Sequence, residues 1–251
     1  RIGYEPYLLL VEDEAHWRSI PRSSYVLDQI RQFAFQHAFI GHILEPYLMS
    51  TAAQSCRQHA AALPFDPDNY LLLADADLWP LKVDFYHQID FSRKMVFFYA
   101  NAYNYGYHCT CHMGATVATW REVMGLIGNG DLHGQLLQTF DRDLKPMMEG
   151  KIPSEASWAQ WNFDEWNTSR LIKQQPWYPA QCQMIERHGI PPSDRLDRSC
   201  WPRSWDISRM IDSHIVRPAH WPQHWVRLCT LLEQVDREIA QWSHDYHDKY
   251  A

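Results

Sequence analysis

Two aspartates follow a short apolar segment and are separated by a single residue. Residues 70–74 read YLLLA, a continuous apolar run typical of a buried strand, and Asp75 and Asp77 come directly after it. Side chains at positions i and i+2 of an extended chain point to the same side, so both carboxylates should face the same space. Ligands of parallel α/β sheets bind in the crevice beyond the carboxyl ends of the strands.

In such a crevice, Asp75 and Asp77 favour the binding of a divalent cation. Two neighbouring carboxylates repel each other unless a hard cation lies between them. A small number of oxygen ligands suits Mg²⁺ or Mn²⁺, which completes its coordination shell with substrate phosphates. The alternative interpretation is a solvated turn after a strand, because a bare Asp-x-Asp is common.

A second group of candidate residues lies far downstream, in the segment DSHIVRP at 212–218. His214 could supply a third metal ligand, and Arg217 could bind a phosphate through two N–H groups. The alternative is an ordinary surface turn before the last helix.

Two adjacent acids, Asp164 and Glu165, open a predicted amphipathic helix. Acids favour helix N-termini because of the helix dipole, so a structural role explains them. The functional interpretation makes one of them a general base or an anchor for an acceptor hydroxyl. Adjacent helical residues point about 100° apart, so only one should reach the acceptor. We favour Asp164, which lies nearer the helix cap.

Two arginines in the segment RLDRSCW at 195–201 are candidates for contact with a diphosphate: Arg195 and Arg198. Alternating charge in such a loop is more often a structural ion pair.

The six cysteines allow a zinc interpretation only at the segment HCTCH, residues 108–112. In a strand, Cys109 and Cys111 would point one way and the two histidines the other, so four ligands would not converge. We therefore expect buried free thiols.

Short apolar runs predict strands, and apolar residues three to four apart predict helices. The predicted strands cover residues 7–11, 70–74, 94–100 and 114–117. The predicted helices cover residues 25–40, 45–63, 119–124, 132–140 (capped by Asp131), 164–173 and 222–246. Apolar strands that alternate with helices favour a mostly parallel central sheet flanked by helices. We therefore expect one α/β domain over residues 1–251.

Composition excludes several classes of protein. The chain has 251 residues, of which 46% are apolar and 21% charged, as in globular domains. A net charge of −7 argues against a nucleic-acid partner, since phosphate neutralisation needs a basic face. No apolar run reaches the roughly 18 residues of a membrane span. We find no signal peptide, and the chain begins at Arg1, so we expect a fragment of a longer protein, with the cytoplasm as the default location.

Together these residues resemble the GT-A class of nucleotide-sugar-dependent glycosyltransferases. The match comprises Asp75-Ala76-Asp77 after YLLLA, the strand at 113–116 before Trp120-Arg121-Glu122, the acid pair at 164–165 and the late His214. The segments MGATVATWREVM, DEWNTSRLI and RLDRSCWP are similar to glycosyltransferase domains of large algal viruses. The resemblance covers about residues 4–220.

The resemblance implies a GT-A-like (Rossmann-like) domain and a Mn²⁺ or Mg²⁺ cofactor. Asp77 and His214 would ligate the metal directly, and Asp75 would reach the metal or the ribose. The strand that holds the nucleobase in this class is not found before residue 7, so base-binding residues are not assigned. The implied partners are a nucleotide sugar, in the first instance a UDP-sugar, and a glycan acceptor.

The sequence therefore predicts a metal-dependent glycosyltransferase. Whether it inverts or retains configuration stays open. Two alternatives also stay open: a hydrolase or pyrophosphorylase acting on nucleotide sugars, and a non-catalytic carbohydrate-binding module whose tryptophans form the binding face.

Overall fold

A computed structural model describes residues 3–101, 106–187, 193–198, 201–215 and 221–250. The described residues form α/β structure that is about half helical. The strands are β1 (Tyr7–Val11), β2 (Gln36–Gly41), β3 (Tyr70–Leu72), β4 (Leu78–Pro80), β5 (Met95–Phe97), β6 (Met113–Thr116), β7 (Cys182–Met184), β8 (Arg195–Asp197) and β9 (Asp212–His214). The α-helices are α1 (Glu14–Ser19), α2 (Pro21–Gln32), α3 (Met49–His59), α4 (Val83–Tyr86), α5 (Val117–Met124), α6 (Leu132–Thr139), α7 (Lys145–Met148), α8 (Pro153–Trp161), α9 (Phe163–Lys173), α10 (Pro222–Val235) and α11 (Arg237–Tyr250).

These elements belong to two compact units. The large unit comprises residues 5–74 and 90–186, and the small unit comprises residues 1–4, 75–89 and 187–251. Each unit has its own sheets and its own buried apolar clusters. That the whole chain is one domain stays a prediction.

The large unit contains two sheets. Strands β1 and β2 form a parallel pair, and β3, β6, β5 and β7 form a four-stranded sheet in that order. In the four-stranded sheet β6 runs antiparallel to both β3 and β5, while β5 and β7 are parallel. The sheets are therefore mixed, and the expected mostly parallel central sheet is not shown. An apolar run in the sequence identifies a buried strand but does not show whether that strand is parallel or antiparallel to its neighbours.

Apolar residues of the large unit are buried where the sequence pattern places them. One cluster gathers around Trp120 of α5, with Met95 and Phe97 of β5 and Met113 of β6. At α6, the Asp131 carboxylate accepts a hydrogen bond from the Gly134 backbone N–H at 2.8 Å, so the predicted cap is confirmed.

The small unit is built on a three-stranded sheet in the order β4-β9-β8. The central strand β9 is antiparallel to β4 and parallel to β8. Apolar side chains of the sheet and of α10 pack together, among them Leu196, Trp201 and Leu231. This small sheet carries the candidate site described below.

The helix predicted over residues 25–40 is wrong in its second half. Helix α2 ends at Gln32, and residues 36–41 form β2 instead. The helix ends through Ala34, whose backbone is left-handed at φ 56°, and Phe35 N–H donates to the Ile30 carbonyl at 3.0 Å. Because glycine usually marks such an ending, the sequence carried no signal for it.

The single helix predicted over residues 222–246 is two helices, α10 and α11. Asp236 lies between them in extended backbone, at φ −162° and ψ 115°. Its carboxylate accepts hydrogen bonds from the backbone N–H groups of Glu238 and Ile239, at 2.9 and 3.3 Å. Asp236 therefore caps a new helix, which a continuous apolar pattern does not reveal.

A buried histidine gives the large unit a dependence on pH. His59 at the end of α3 is fully enclosed, its Nδ1 lies 2.8 Å from the Ser55 carbonyl oxygen, and its Nε2 lies 2.9 Å from the Thr139 hydroxyl. Burial lowers the pKa of His59 from 6.5 to about 4. The unfolded chain takes up the proton at the ordinary pKa, so the folded state loses stability as pH falls from about 6.5 toward 4.

We predict that His59→Gln reduces this pH dependence. Between pH 7 and pH 4.5 the free energy of unfolding should fall by on the order of 2 kcal/mol more in the unsubstituted protein than in the variant. Urea unfolding at both pH values measures the difference. His16→Gln, which changes an exposed histidine of α1, is the control and should behave like the unsubstituted protein. Equal losses in the His59 variant and the unsubstituted protein would contradict the prediction.

Candidate functional site

The predicted metal ligands come together in the small unit. Asp75 and Asp77 directly precede β4, and His214 is the last residue of β9. Antiparallel pairing sets Leu78 opposite His214, and the Ile215 backbone N–H donates to the Asp77 carbonyl at 2.9 Å. The strand pairing therefore holds the two aspartates beside the histidine.

The two aspartates share a space for a different reason from the one expected. They do not lie in an extended chain but at a turn, which the Leu78 N–H closes onto the Asp75 carbonyl at 3.1 Å. The distance from His214 Nε2 is 3.8 Å to Asp75 Oδ2 and 3.5 Å to Asp77 Oδ1. One potential ligand atom from each residue lies within 4.8 Å of the others.

The burial of these three side chains suits a bound cation. His214 is buried, whereas the side chains of Asp75 and Asp77 are each 22% exposed, so both carboxylates contact solvent. Two carboxylate oxygens and an imidazole nitrogen form a donor set for Mn²⁺ in particular, since Mg²⁺ prefers oxygen alone. The residues therefore fit the predicted cofactor.

Asp197 at the end of β8 orients the histidine. Parallel pairing sets Asp197 opposite His214, and His214 Nδ1 lies 3.3 Å from Asp197 Oδ1. On the other side of the ring, Arg198 Nε–H donates to His214 Nε2 at 2.9 Å, so Nε2 acts as the acceptor and Nδ1 carries the hydrogen. A carboxylate that holds a ligating histidine from behind is a common arrangement in metal sites.

The charge of Asp197 is maintained by its neighbours. Burial acts to raise its pKa, but the hydrogen bond from His214 and the charges of Arg195 and Arg198 outweigh burial and lower the pKa. Asp197 was not among the predicted site residues. Its signal was the alternation Arg-Leu-Asp-Arg, which places Arg195 and Asp197 on one side of a strand, but we interpreted these charges as ion pairs or as arginines for a diphosphate.

The three arginines predicted to bind phosphate have different surroundings. Arg198 is half-buried and contacts the cluster through His214. Arg195 is buried and binds both oxygens of the Asp212 carboxylate, at 2.8 and 3.2 Å. These contacts favour the structural interpretation of Arg195. Arg217 lies outside the described residues.

The predicted acids of α9, Asp164 and Glu165, both lie in the large unit. Asp164 is buried and accepts hydrogen bonds from Arg57 Nη2 at 2.7 Å and from the Thr110 hydroxyl at 2.8 Å. Glu165 is only partly buried. The preference for Asp164 as the reactive acid is therefore not supported by its surroundings, because both interactions hold it inside the protein.

The described cysteines are free thiols, at positions 56, 109, 111, 182 and 229, while Cys200 lies outside the described residues. Residues 110–112 form a 3₁₀ turn rather than a strand, which brings the sulfur atoms of Cys109 and Cys111 to 3.0 Å. The hydrogen bond between them and burial raise the pKa of Cys111 well above its usual value.

No protein-family model, curated protein or solved structure matches this chain. The resemblance to glycosyltransferases therefore stays a prediction that rests on the residues named above. Among the described residues, no helix is long and apolar enough to cross a membrane.

We predict that Asp197→Asn weakens metal binding without unfolding the chain. The amide cannot hold the Nδ1–H of His214 as a carboxylate does, so the affinity for Mn²⁺ should fall by roughly 10- to 100-fold. Titration of Mn²⁺ followed by electron paramagnetic resonance measures this affinity. Asp245→Asn, an equal change of charge at an exposed position of α11, should leave the affinity unchanged. Unaltered Mn²⁺ binding by the Asp197 variant would show that the carboxylate has no such role.

Proposed function

We propose that the chain is a metal-dependent glycosyltransferase, which moves a sugar from a nucleoside diphosphate, in the first instance UDP, to a hydroxyl of a glycan acceptor. The observation that carries the proposal is the convergence of Asp75, Asp77 and His214, with Asp197 behind the histidine. We also propose that the α/β structure is arranged as in the GT-A class.

In this proposal each residue of the cluster has a distinct role. Asp77 and His214 ligate a Mn²⁺ or Mg²⁺ ion, and Asp75 reaches the ion or the ribose. A bound divalent cation neutralises negative charge on the departing diphosphate. Arg198 supplies a second positive charge, since a guanidinium can donate two parallel hydrogen bonds to phosphate oxygens. Arg217 stays a predicted phosphate ligand.

A base is needed only if the enzyme inverts the configuration of the sugar. The acceptor hydroxyl must then lose its proton as the new bond forms. Asp164 and Glu165 of α9 stay the two predicted candidates for this base, and the side chain of Glu165 is the more exposed of the two. A retaining enzyme needs no base, and Glu165 would then only bind the acceptor.

A screen of nucleotide sugars with Mn²⁺ tests the proposed activity. Ligands that bind the native state raise the melting temperature by mass action, so the screen first identifies the nucleotide. The products formed with and without a glycan acceptor are then compared. Transfer requires the glycan acceptor, whereas a hydrolase cleaves the donor with water and a pyrophosphorylase cleaves it only when pyrophosphate is added. A carbohydrate-binding module would bind the glycan but not UDP with Mn²⁺.

We predict that Asp77→Ala abolishes transfer and nucleotide-dependent Mn²⁺ binding while the fold is retained. The substitution removes a direct metal ligand together with the carboxylate charge that attracts the ion. Calorimetric titration of UDP in the presence of Mn²⁺ measures the effect, and circular dichroism checks the fold. Asp84→Ala, at an exposed position in α4, is the matched control and should retain activity. A fully active Asp77 variant would exclude the metal site.

We predict that substitution of Glu165 affects turnover, whereas substitution of Asp164 affects the stability of the fold. Glu165→Gln should lower turnover by roughly 100-fold or more with UDP affinity unchanged, as loss of a general base does. Asp164→Asn should instead lower stability by about 3 kcal/mol, because it removes the carboxylate charge that offsets the buried charge of Arg57. Steady-state kinetics and urea unfolding of both variants separate the effects. Normal turnover in both would favour a retaining mechanism.

A further inference from the structure

Arg198 occupies the histidine nitrogen that faces the two aspartates. Its Nε–H donates to His214 Nε2 at 2.9 Å, and the same Nε2 lies 3.5 Å from Asp77 Oδ1. An imidazole nitrogen has one lone pair, which either accepts a hydrogen bond or binds a cation. In this arrangement Arg198 and a metal ion therefore compete for the same electrons.

Charge adds to this competition. A guanidinium is always protonated in proteins, so Arg198 places a permanent positive charge beside the cluster. Unlike charges attract and like charges repel over such short distances, most strongly where solvent is partly excluded. Arg198 thus offsets the repulsion between Asp75 and Asp77 and opposes the approach of a divalent cation.

The backbone at Arg198 directs the side chain to this position. Arg198 follows β8 directly and has left-handed backbone at φ 36°, a conformation that a residue other than glycine rarely adopts. Asp197, its neighbour in the chain, holds the opposite nitrogen of the same imidazole ring. Two consecutive residues therefore bind the His214 ring: Asp197 accepts the hydrogen bond from Nδ1, and Arg198 donates a hydrogen bond to Nε2.

Arg198 is also less enclosed than the other arginine of this segment. Its side chain is half-buried, in contrast to the buried Arg195 three residues earlier, which is held by Asp212. A nucleoside diphosphate carries the oxygen pairs that a guanidinium binds best. When Arg198 turns to these oxygens, His214 Nε2 becomes available to a cation.

We propose that Arg198 is a positioning residue that blocks His214 in the absence of nucleotide and releases it when a nucleoside diphosphate binds. This inference rests on the proposed function for the identity of the ligand. Metal and nucleotide then bind as a coupled pair: each raises the affinity for the other by the same factor, as linkage requires. The site takes up little free Mn²⁺, and the ion arrives together with the donor.

The decisive measurement is the affinity for Mn²⁺ alone, without nucleotide. Arg198→Ala and Arg198→Met should bind Mn²⁺ about tenfold more tightly than the unsubstituted protein, which corresponds to about 1.4 kcal/mol of binding free energy. A merely structural arginine would give a loss instead. The methionine variant keeps the aliphatic packing, so a fold defect in the alanine variant leaves a second test. Electron paramagnetic resonance counts the bound Mn²⁺, and electron spin echo modulation from a directly bound imidazole nitrogen reports His214.

The second measurement is the factor by which UDP raises the Mn²⁺ affinity. This factor should be large in the unsubstituted protein and several-fold smaller in both Arg198 variants. Uridine, which lacks the diphosphate, should have no such effect in either. Arg209→Ala removes an exposed arginine of the same unit, and should behave like the unsubstituted protein, which separates a local effect from net charge. In a His214→Ala background, Arg198→Ala should give a smaller gain.

Arg198 variants that bind Mn²⁺ alone no more tightly than the unsubstituted protein overturn the inference, and this includes the case in which none of them binds the ion. The outcome is independent of catalysis. A protein that shows the predicted gain and the coupling with UDP, but transfers no sugar, would support the inference while contradicting the transferase.

Discussion

The small unit depends on one carboxylate with no exposed surface, that of Asp212. It accepts two hydrogen bonds from Arg187, at 2.6 and 3.4 Å, two from Arg195, at 2.8 and 3.2 Å, and one from the Tyr86 hydroxyl at 3.4 Å. Burial alone would lower the pKa of Arg187, but the charge of Asp212 outweighs burial and raises it. Removing one partner of such a buried network typically costs about 3–5 kcal/mol, because an uncompensated charge stays inside.

The same network sets the geometry of the candidate site. Strands β8 and β9 pair over only three residues each, so their backbone hydrogen bonds are few. The bond between Arg195 and Asp212, which face each other in this register, fixes the pairing and with it the contact between Asp197 and His214 two residues further along. A slip by one residue would turn His214 to the other face of the sheet. The buried ion pairs thus act on the metal ligands through strand register.

The sequence alone identified site residues that stand out by their type and by their immediate neighbours in the chain. Asp75 and Asp77 are conspicuous because they follow an apolar run with one residue between them, although they meet at a turn and not in an extended strand. His214 was a downstream candidate for the third ligand. The roles of Asp197 and Arg198 could not be predicted in the same way. Both depend on the pairing of two three-residue strands, and so short a strand leaves almost no periodic signal.

In the fold, too, features that follow from nearby residues could be predicted, whereas features that depend on distant segments could not. The strand Tyr7–Val11 and the helix Phe163–Lys173 agree with the apolar pattern, which is a property of nearby residues. The direction of β6 between its neighbours and the helix break at Asp236 do not follow from that pattern. Strand direction is decided by packing between distant segments, and the break by a single capping side chain within an otherwise continuous apolar stripe.

The small unit is not a continuous stretch of chain, because β4 comes from residues 75–89 while its only described pairing partner, β9, comes from beyond residue 187. This has a practical consequence for recombinant work. A fragment that stops at about residue 186 would keep β4 but leave its backbone groups without the strand that pairs with them, which is a ready template for intermolecular association. During synthesis on the ribosome, more than a hundred residues must be added after β4 before β9 is made. Over that interval the edge of β4 in the nascent chain is unpaired by β9 and prone to aggregation.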